Sequence, residues 1–189
     1  MGTAEPSADS RGLARQAGER ARNLFLTRQM HCAEAVLVTL NRGFGGGLTD
    51  DQAFALATPF SEGIADSGCL CGALGGALMA IGLFLCRDNP TGRRREAHSA
   101  SARFLKRFKM RHGSACCRVL ARKDRGDAKA HFNRCAEFTA EAARSAAEII
   151  LAQCPGLAAR AQKDFLEERD TLLGGVVRSV VRRVGGRLG

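Results

Sequence analysis

Eight cysteines are the residues of this 189-residue chain whose chemistry stands out. No two of them form a Cys-x-x-Cys pair, so neither a thioredoxin-type site nor a zinc-ribbon spacing is present. What recurs instead is a cysteine in the first turns of separate predicted helices. Unpaired N–H groups and the helix dipole favour an anion there, so such a thiol is shifted toward the thiolate that attacks disulfides and ligates metals. These cysteines are Cys32, Cys71, Cys117 and Cys135.

Helix starts that point to one end of a bundle would bring these thiols together, which is how metal sites in helical bundles are built. The remaining four cysteines are predicted to be packing residues. Among these, Cys69 differs because it forms a Cys-x-Cys pair with Cys71 that could oxidise under strain. The predicted packing cysteines are Cys69, Cys86, Cys116 and Cys154.

The element that must position Cys71 is an uncharged, glycine-rich run over residues 70–86. Gly72, Gly76 and Ala80 recur at intervals of four, so on a helix they form one stripe of small residues that another backbone can approach closely. The run is at the lower limit of length for crossing a bilayer, and no aromatic belt flanks it. It is therefore predicted to be a buried core helix, with Cys69 and Cys71 in its first turn.

The rest of the chain is also predicted to be helical. Alanine and leucine dominate over the residues that favour strands. Thr49 and Gln52 form a capping box, and Asn89-Pro90 caps a basic helix that runs to about Met110. We therefore expect an all-α fold, a compact multi-helix bundle with a central glycine-rich buried helix. The other helices are expected over residues 11–26 and 32–40, from residue 116 to 120, and in a long segment that ends at Gln153.

Three regions differ in composition. Residues 1–10 are predicted to be disordered, residues 11–153 to form the cysteine-bearing helical domain, and residues 154–189 to form a basic amphipathic extension. The extension contains no cysteine after Cys154, so we expect it to be peripheral to any thiol site. It is predicted either to bind an anionic surface or to fold back on the bundle or a dimer partner. Its apolar stripe is Leu172, Leu173, Val176, Val177, Val180, Val181 and Val184.

The net charge of +10 is concentrated in the second half of the chain. Residues 1–86 carry six basic and eight acidic side chains, whereas residues 87–189 carry twenty-three and eleven. This asymmetry indicates either a half that faces nucleic acid or membrane, or the solvated faces of arginine-rich helices. The absence of Tyr and Trp argues against stacking on single-stranded RNA.

The polar N-terminus has no apolar core of a secretory signal, so we expect a cytoplasmic protein. Cysteines in that compartment indicate catalysis, redox chemistry or metal binding rather than structural disulfides. A hydrolase or transferase has little support, because no motif places a histidine beside a nucleophile. The histidines are His31, His98, His112 and His131.

Four segments, in order, resemble the signature of the C_GCAxxG_C_C family of small redox-active helical proteins. They are His31–Leu37, Cys71–Gly82, Gly113–Leu120 and Cys135. The resemblance covers about residues 15–153. It identifies Cys32, Cys71, Cys117 and Cys135 as the first to fourth family cysteines, and Gly63 and Gly68 as glycines of the approach to the second. The chain departs from the pattern at Ser61 and Glu62, where the family is richer in glycine, and Cys116 beside Cys117 leaves the third assignment open by one residue.

The resemblance implies redox or metal chemistry without supplying a substrate. We expect Cys32 and Cys71 to be catalytic, and the four family cysteines either to bind a metal centre or to cycle between dithiol and disulfide in electron transfer. Four thiolates are the usual complement of an iron–sulfur cluster, and they equally suit zinc. If the protein is an enzyme, it is a thiol or iron–sulfur oxidoreductase.

The alternative function is a binding module without chemistry. A basic helical protein of this kind would dock on an acidic partner, nucleic acid or a membrane surface through its second half. It would explain the charge but leave the ordered cysteines unused. The partners expected here are an unidentified redox partner, a second copy in a homodimer and an anionic surface that contacts the C-terminal extension, and the protein is not expected to be an integral membrane protein.

Overall fold

A computed structural model of the chain describes residues 7–174. No strand is present among these residues, and the sheet-like pairing they contain is an isolated bridge between Leu70 and Cys116. The prediction of an all-α fold is confirmed. The helices are α1 (Ala8–Leu26), α2 (Cys32–Phe44), α3 (Asp50–Ala57), α4 (Ser61–Ile64), α5 (Gly72–Cys86), α6 (Arg94–His112), α7 (Cys117–Leu120), α8 (Ala128–Gln153) and α9 (Lys163–Glu167), with 3₁₀ turns at Thr58–Phe60, Ala121–Asp124 and Pro155–Arg160.

The glycine-rich helix α5 lies at the centre of the bundle and packs against α2, α6 and α8. Its residues Leu74 and Ile81 are fully buried. A methyl group at Gly76 would lie 2.5 Å from the carbonyl oxygen of Ala33, so α2 can approach α5 this closely only because Gly76 has no side chain. The predicted packing role of this small-residue stripe is confirmed.

Helices α1 and α8 form the most extensive helix–helix contact among the described residues. Their facing residues are small, and Ala17 and Ala143 are fully buried. At Gly18 an added methyl group would lie 2.8 Å from the carbonyl oxygen of Ala140, so this contact also depends on a glycine. Because Cys135 lies on α8, this helix pair positions that cysteine in the bundle.

The segment after α8 returns across α1 and α2. Phe165 and Leu166 of α9 are buried, and the backbone N–H of Gln162 donates to the carbonyl of Gly43 at 2.9 Å. Beyond α9, Glu168 and Asp170 accept hydrogen bonds from Arg20, whose side chain is 2% exposed. Residues 155–170 are thus part of the packed bundle.

Three predicted helix starts are wrong. Helix α6 begins at Arg94 rather than at Pro90, because the side chain of Asn89 accepts from the N–H of Gly92 and closes a separate turn. Helix α5 begins at Gly72 with Cys71 as its N-cap, so Cys69 lies outside the first turn. Helix α1 begins at Ala8, capped by Ser7, before the expected start at residue 11.

Much of the predicted C-terminal stripe lies outside the described residues. Its first members, Leu172 and Leu173, are exposed, and the valines from Val176 onward are not described. The division into regions 1–10, 11–153 and 154–189 stays a prediction. Between residues 7 and 174, none of the helices combines the length and the apolar character needed to cross a membrane.

Candidate redox site

One cavity of about 1250 Å³ lies between α1, α2, α5 and α8 and is closed on one side by α9. The four predicted site cysteines come from separate elements, and all four line this cavity. Aromatic and charged side chains form the rest of the wall. The cysteines are Cys32, Cys71, Cys117 and Cys135, the phenylalanines Phe25, Phe54, Phe132, Phe138 and Phe165, the arginines Arg20, Arg28 and Arg42, and the carboxylates Glu34, Asp50, Asp51, Glu62 and Asp66.

Cys32 and Cys71 are positioned by the N-termini of two packed helices. Cys32 is the first residue of α2, and Cys71 is the N-cap of α5. The backbone N–H of Ala73, in the first turn of α5, lowers the pKa of both thiols. A methyl group at Gly72 would lie 2.5 Å from the Cys32 sulfur, so the glycine that follows Cys71 makes room for the other thiol.

A left-handed turn between α3 and α5 completes the surroundings of Cys32. Five consecutive residues, 62 to 66, have positive φ angles, and only Gly63 among them is a glycine. Left-handed backbone costs roughly 1–2 kcal/mol for each non-glycine residue, and such strain is concentrated at functional sites. The backbone N–H of Glu62 lies in this turn and lowers the pKa of Cys32, although burial raises that pKa by more.

Cys117 reaches the cavity because the segment before α7 is hydrogen-bonded to the segment before α5. The N–H of Cys71 donates to the carbonyl of Ala115 at 2.8 Å, and the N–H of Cys117 donates to the carbonyl of Cys69 at 2.9 Å. Gly63 packs on Cys117, where an added methyl group would lie 2.7 Å from its Cβ. These contacts join the two cysteine motifs into one unit.

Cys135 lies on α8, seven residues after its first residue, Ala128. The prediction of a cysteine in the first turn is therefore wrong for this residue, whose thiol gains nothing from the helix N-terminus. The Cys135 sulfur instead lies 3.7 Å from Nε2 of His131, one turn earlier on the same helix. Cys135 lines the same cavity as the other three site cysteines.

Burial controls the protonation of all four thiols. It raises the pKa of Cys71 and of Cys135 to about 12, and it also raises the pKa of Cys32 and Cys117. The backbone N–H groups of Leu74 and Ala73 lower the pKa of Cys71, but by less than burial raises it. A Cys32 thiolate would further raise the pKa of the other three by repulsion. The predicted shift toward thiolate is therefore reversed, because desolvation outweighs the helix dipoles.

The described residues contain no group of three or more His, Cys, Asp or Glu side chains arranged to hold a metal ion. The four thiols share a cavity without closing on a common point. The donor set nevertheless matches an iron–sulfur cluster or zinc in number and kind. The backbone at Gly63 lies against Cys117 and that at Gly72 against the Cys32 sulfur, so two of the four donors are held by contacts that require glycine.

The other four cysteines do not line the cavity. Cys69 is exposed, two residues from buried Cys71. The Cys116 sulfur lies 3.1 Å from the carbonyl of Gly68, whereas the neighbouring Cys117 lines the cavity. The geometry thus favours Cys117 over Cys116 as the third site cysteine. Cys86 and Cys154 are half-buried at the ends of their helices.

Glu34 is a site residue that the sequence analysis did not single out. Its carboxylate is 2% exposed and accepts from the backbone N–H of His31 at 2.7 Å and from the hydroxyl of Thr58 at 2.9 Å. It therefore fixes the start of α2, where Cys32 lies, against the turn after α3. The three-residue spacing from the N-cap His31 to Glu34 is that of a capping box and was a usable signal.

The fold and the site define a small all-α protein with a cavity lined by four cysteines from separate elements. The family model described as "Putative redox-active protein (C_GCAxxG_C_C)" matches residues 30–149. The chain belongs to this family. The comparison with curated proteins finds no match, and neither does the comparison with solved structures.

Proposed function

We propose that this chain is a redox protein in which Cys32 and Cys71 cycle between a dithiol and a disulfide. The observation that carries the proposal is the contact at Gly72, the residue that directly follows Cys71: a methyl group there would lie 2.5 Å from the Cys32 sulfur. The Cys32 sulfur therefore lies against the residue next to Cys71, and both cysteines line the same cavity. Oxidation joins the two sulfurs in one S–S bond and releases two electrons and two protons; reduction reverses each of these changes.

The two thiols have different access to a partner. Cys32 is half-buried at the cavity wall, whereas Cys71 is 5% exposed. Cys32 is therefore the thiol that meets the oxidant, and Cys71 closes the disulfide behind it. The close packing of Gly72 on the Cys32 sulfur supports this pairing, since any larger residue there would separate the thiols.

A second candidate function is electron transfer through a metal centre held by four thiolates. The observation that favours it is that Cys32, Cys71, Cys117 and Cys135 reach one cavity from four elements. When bound, an iron–sulfur cluster would supply one-electron transfer, and its positive iron ions would hold the thiols deprotonated. Backbone N–H groups that lower the pKa of Cys32 and Cys71, among them that of Ala73, would stabilise the resulting negative charge. The contact at Gly72 is specific to the Cys32–Cys71 pair, so the metal centre ranks second.

The full chain, purified without oxygen, distinguishes the two candidates. Iron, zinc and acid-labile sulfide are measured together with the visible spectrum, and the oxidised protein is mapped by mass spectrometry for disulfides. A colourless, metal-free protein with a reversible Cys32–Cys71 disulfide supports the first candidate. A brown protein with iron and sulfide that loses colour in each of the four site variants supports the second.

Two single variants test the assignment of Cys71. Cys71→Ser removes the site thiol, and Cys69→Ser is its matched control. Cys69 is exposed and lies outside the cavity, so its replacement should leave disulfide formation unchanged. Cys71→Ser should abolish the disulfide and leave Cys32 to form a mixed disulfide with one half of an added disulfide, whose other half leaves as a thiol. Equal behaviour of the two variants would contradict the assignment of Cys71.

A further inference from the structure

One edge of the cavity is formed by a basic segment. Residues 117 to 131 comprise α7, the following 3₁₀ turn and the start of α8, and Cys117, Leu120 and His131 of this segment line the cavity. The lysines and arginines of the same segment are all exposed. These cations are called the basic rim here and are Arg118, Arg122, Lys123, Arg125 and Lys129.

The charge of the basic rim is not neutralised within the bundle. The segment has two carboxylates, and both are engaged. Asp124 is 8% exposed and paired with Arg134, whereas Asp127 caps α8 by accepting from the N–H of Ala130 at 2.9 Å. The ion pairs of residues 7–174 include none of the five rim cations. The rim therefore presents its positive charge to solvent beside the mouth of the candidate site.

Exposed aliphatic side chains accompany the basic rim. Val119 on α7 is 43% exposed, and Ile64 on α4 is 37% exposed. Helix α4 packs against α7, where Gly63 lies against Cys117, so the two aliphatic side chains belong to adjoining elements. Apolar groups at the centre of a charged rim are the usual anatomy of a protein–protein interface.

Two carboxylates next to the basic rim favour a protein over a polyanion as the partner. Glu62 and Asp66 are exposed in the left-handed turn, and Arg118 joins this turn by donating to the carbonyl of Ser67 at 2.6 Å. A nucleic acid backbone or an anionic membrane is uniformly negative, so both carboxylates would repel it. A folded acidic protein can place carboxylates on the rim and apolar groups on Val119.

We propose that the basic rim, together with Val119 and Ile64, is the docking surface for an acidic protein that carries an exposed dithiol and reduces the Cys32–Cys71 disulfide. The proposal rests on the dithiol function proposed above and assigns the class of its reductant. One thiolate of the partner attacks the Cys32 sulfur, so the bond to Cys71 breaks and Cys71 takes up a proton. The partner's second thiolate attacks its own sulfur in the mixed disulfide, and Cys32 leaves as a thiol. Two electrons and two protons thereby pass from the partner to the chain.

The probe is an acidic thioredoxin in its reduced form, mixed without oxygen with the full-length chain that carries the Cys32–Cys71 disulfide. Loss of this disulfide, followed by alkylation and peptide mapping, gives a second-order rate constant. We expect the rate constant to fall about fivefold between about 20 mM and about 300 mM NaCl, because salt screens the attraction between exposed charges. A rate constant that does not change over this range would overturn the proposal.

Two double variants with the same change in net charge locate the surface. One combines Arg122→Glu with Lys123→Glu on the rim. The other combines Lys106→Glu with Lys109→Glu on α6, no residue of which lines the cavity. All four side chains are exposed, so both variants should fold. The rim variant should lower the rate constant about tenfold at low salt, and the α6 variant by less than about twofold. Equal losses in both variants would show that overall charge is responsible and would overturn the proposal.

A small reductant separates failure of this inference from failure of the proposed function. Dithiothreitol is uncharged near neutral pH, so it should reduce the wild type and both double variants at the same rate. If it does, and thioredoxin reduces all three at one rate or none of them, the docking surface is wrong and the dithiol function stands. If no Cys32–Cys71 disulfide can be formed and reduced, the function and the inference fall together.

The same variants test the other occupants of a basic surface. Binding of a short DNA duplex and of phosphatidylglycerol vesicles is measured for the wild type and the rim variant. If either probe binds the wild type and not the rim variant, while both react with thioredoxin at one rate, the rim is a nucleic-acid or membrane surface. That combination would overturn the proposal.

Discussion

Cys32 is the residue around which the other three site thiols are arranged. It is the first residue of α2, and the backbone N–H groups of Glu62 and Ala73 lower its pKa. A thiolate at Cys32 would raise the pKa of Cys71, Cys117 and Cys135. Its position at a helix start could be predicted from sequence. Its burial could not, because desolvation depends on elements that are distant in the chain.

Stability should fall at alkaline pH because of Cys71. Burial raises its pKa from an ordinary 9.0 to about 12 in the folded chain. The unfolded chain therefore loses this proton first as the pH rises, so the contribution to stability is complete below about 9 and is lost between 9 and 12. The free energy of unfolding should fall by up to about 1.4 kcal/mol per pH unit through this thiol.

The measurement is the denaturant midpoint at several pH values between 7 and 11. Cys71→Ala should flatten the alkaline decline relative to the wild type, and Cys69→Ala, at an exposed position, should retain it. If Cys71→Ala and Cys69→Ala decline with the same slope, the Cys71 thiol is not the group that stays protonated.

Replacing Glu34 should both destabilise α2 and make the Cys32 thiol more accessible. Glu34→Ala removes the acceptor of the His31 N–H and of the Thr58 hydroxyl, at an expected cost of about 1–3 kcal/mol. Cys32 should then be alkylated faster, because the first turn of its helix frays. Glu34→Gln retains an oxygen acceptor and should recover part of both effects, as measured by denaturation and by the alkylation rate. Unchanged alkylation in Glu34→Ala would show that the cap does not hold Cys32.

Among the helices, α5 positions the site directly, because Cys71 is its N-cap. Its small-residue stripe predicted close packing, and the contact with Ala33 of α2 confirms this. The start of α5 was less predictable, because Cys71 becomes the N-cap only through the hydrogen bond of its N–H with Ala115 of a later segment. The left-handed turn at residues 62 to 66 gave no sequence signal, since only one of its residues is glycine.

Two glycines of α5 should respond oppositely to the same substitution. Gly76→Ala places a methyl group 2.5 Å from the Ala33 carbonyl and should destabilise the fold by about 1–3 kcal/mol. Gly82→Ala meets no atom within 4 Å and should stabilise the helix by about 0.5–1 kcal/mol. Thermal or denaturant unfolding measures both variants. Equal shifts would mean that α2 does not lie against Gly76.

At the scale of the whole molecule, the packed structure extends beyond the residues that match the family. The match ends at residue 149, but α9 places Phe165 in the wall of the cavity. The sequence led us to expect the chain after Cys154 to be peripheral to the thiols, because it has no cysteine and many arginines. That reasoning could not detect that Arg20 on α1 would be buried against Glu168 and Asp170 and hold this segment in place.

Arg20 should therefore be the residue that keeps α9 closed over the cavity. Arg20→Ala leaves buried Asp170 without its cation and removes the guanidinium that lies 4.9 Å from the centre of the Phe165 ring. Loss of one partner of a buried ion pair typically costs about 3–5 kcal/mol. We expect a clear drop in the unfolding midpoint and rapid protease cleavage between residues 155 and 174.

The matched control is Arg22→Ala on the same helix, where the exposed pair with Glu137 is worth at most about 1 kcal/mol. Arg22→Ala should keep the wild-type cleavage pattern. If Arg20→Ala resists the protease as well as Arg22→Ala does, α9 is held by the packing of Phe165 and Leu166 rather than by the buried charge.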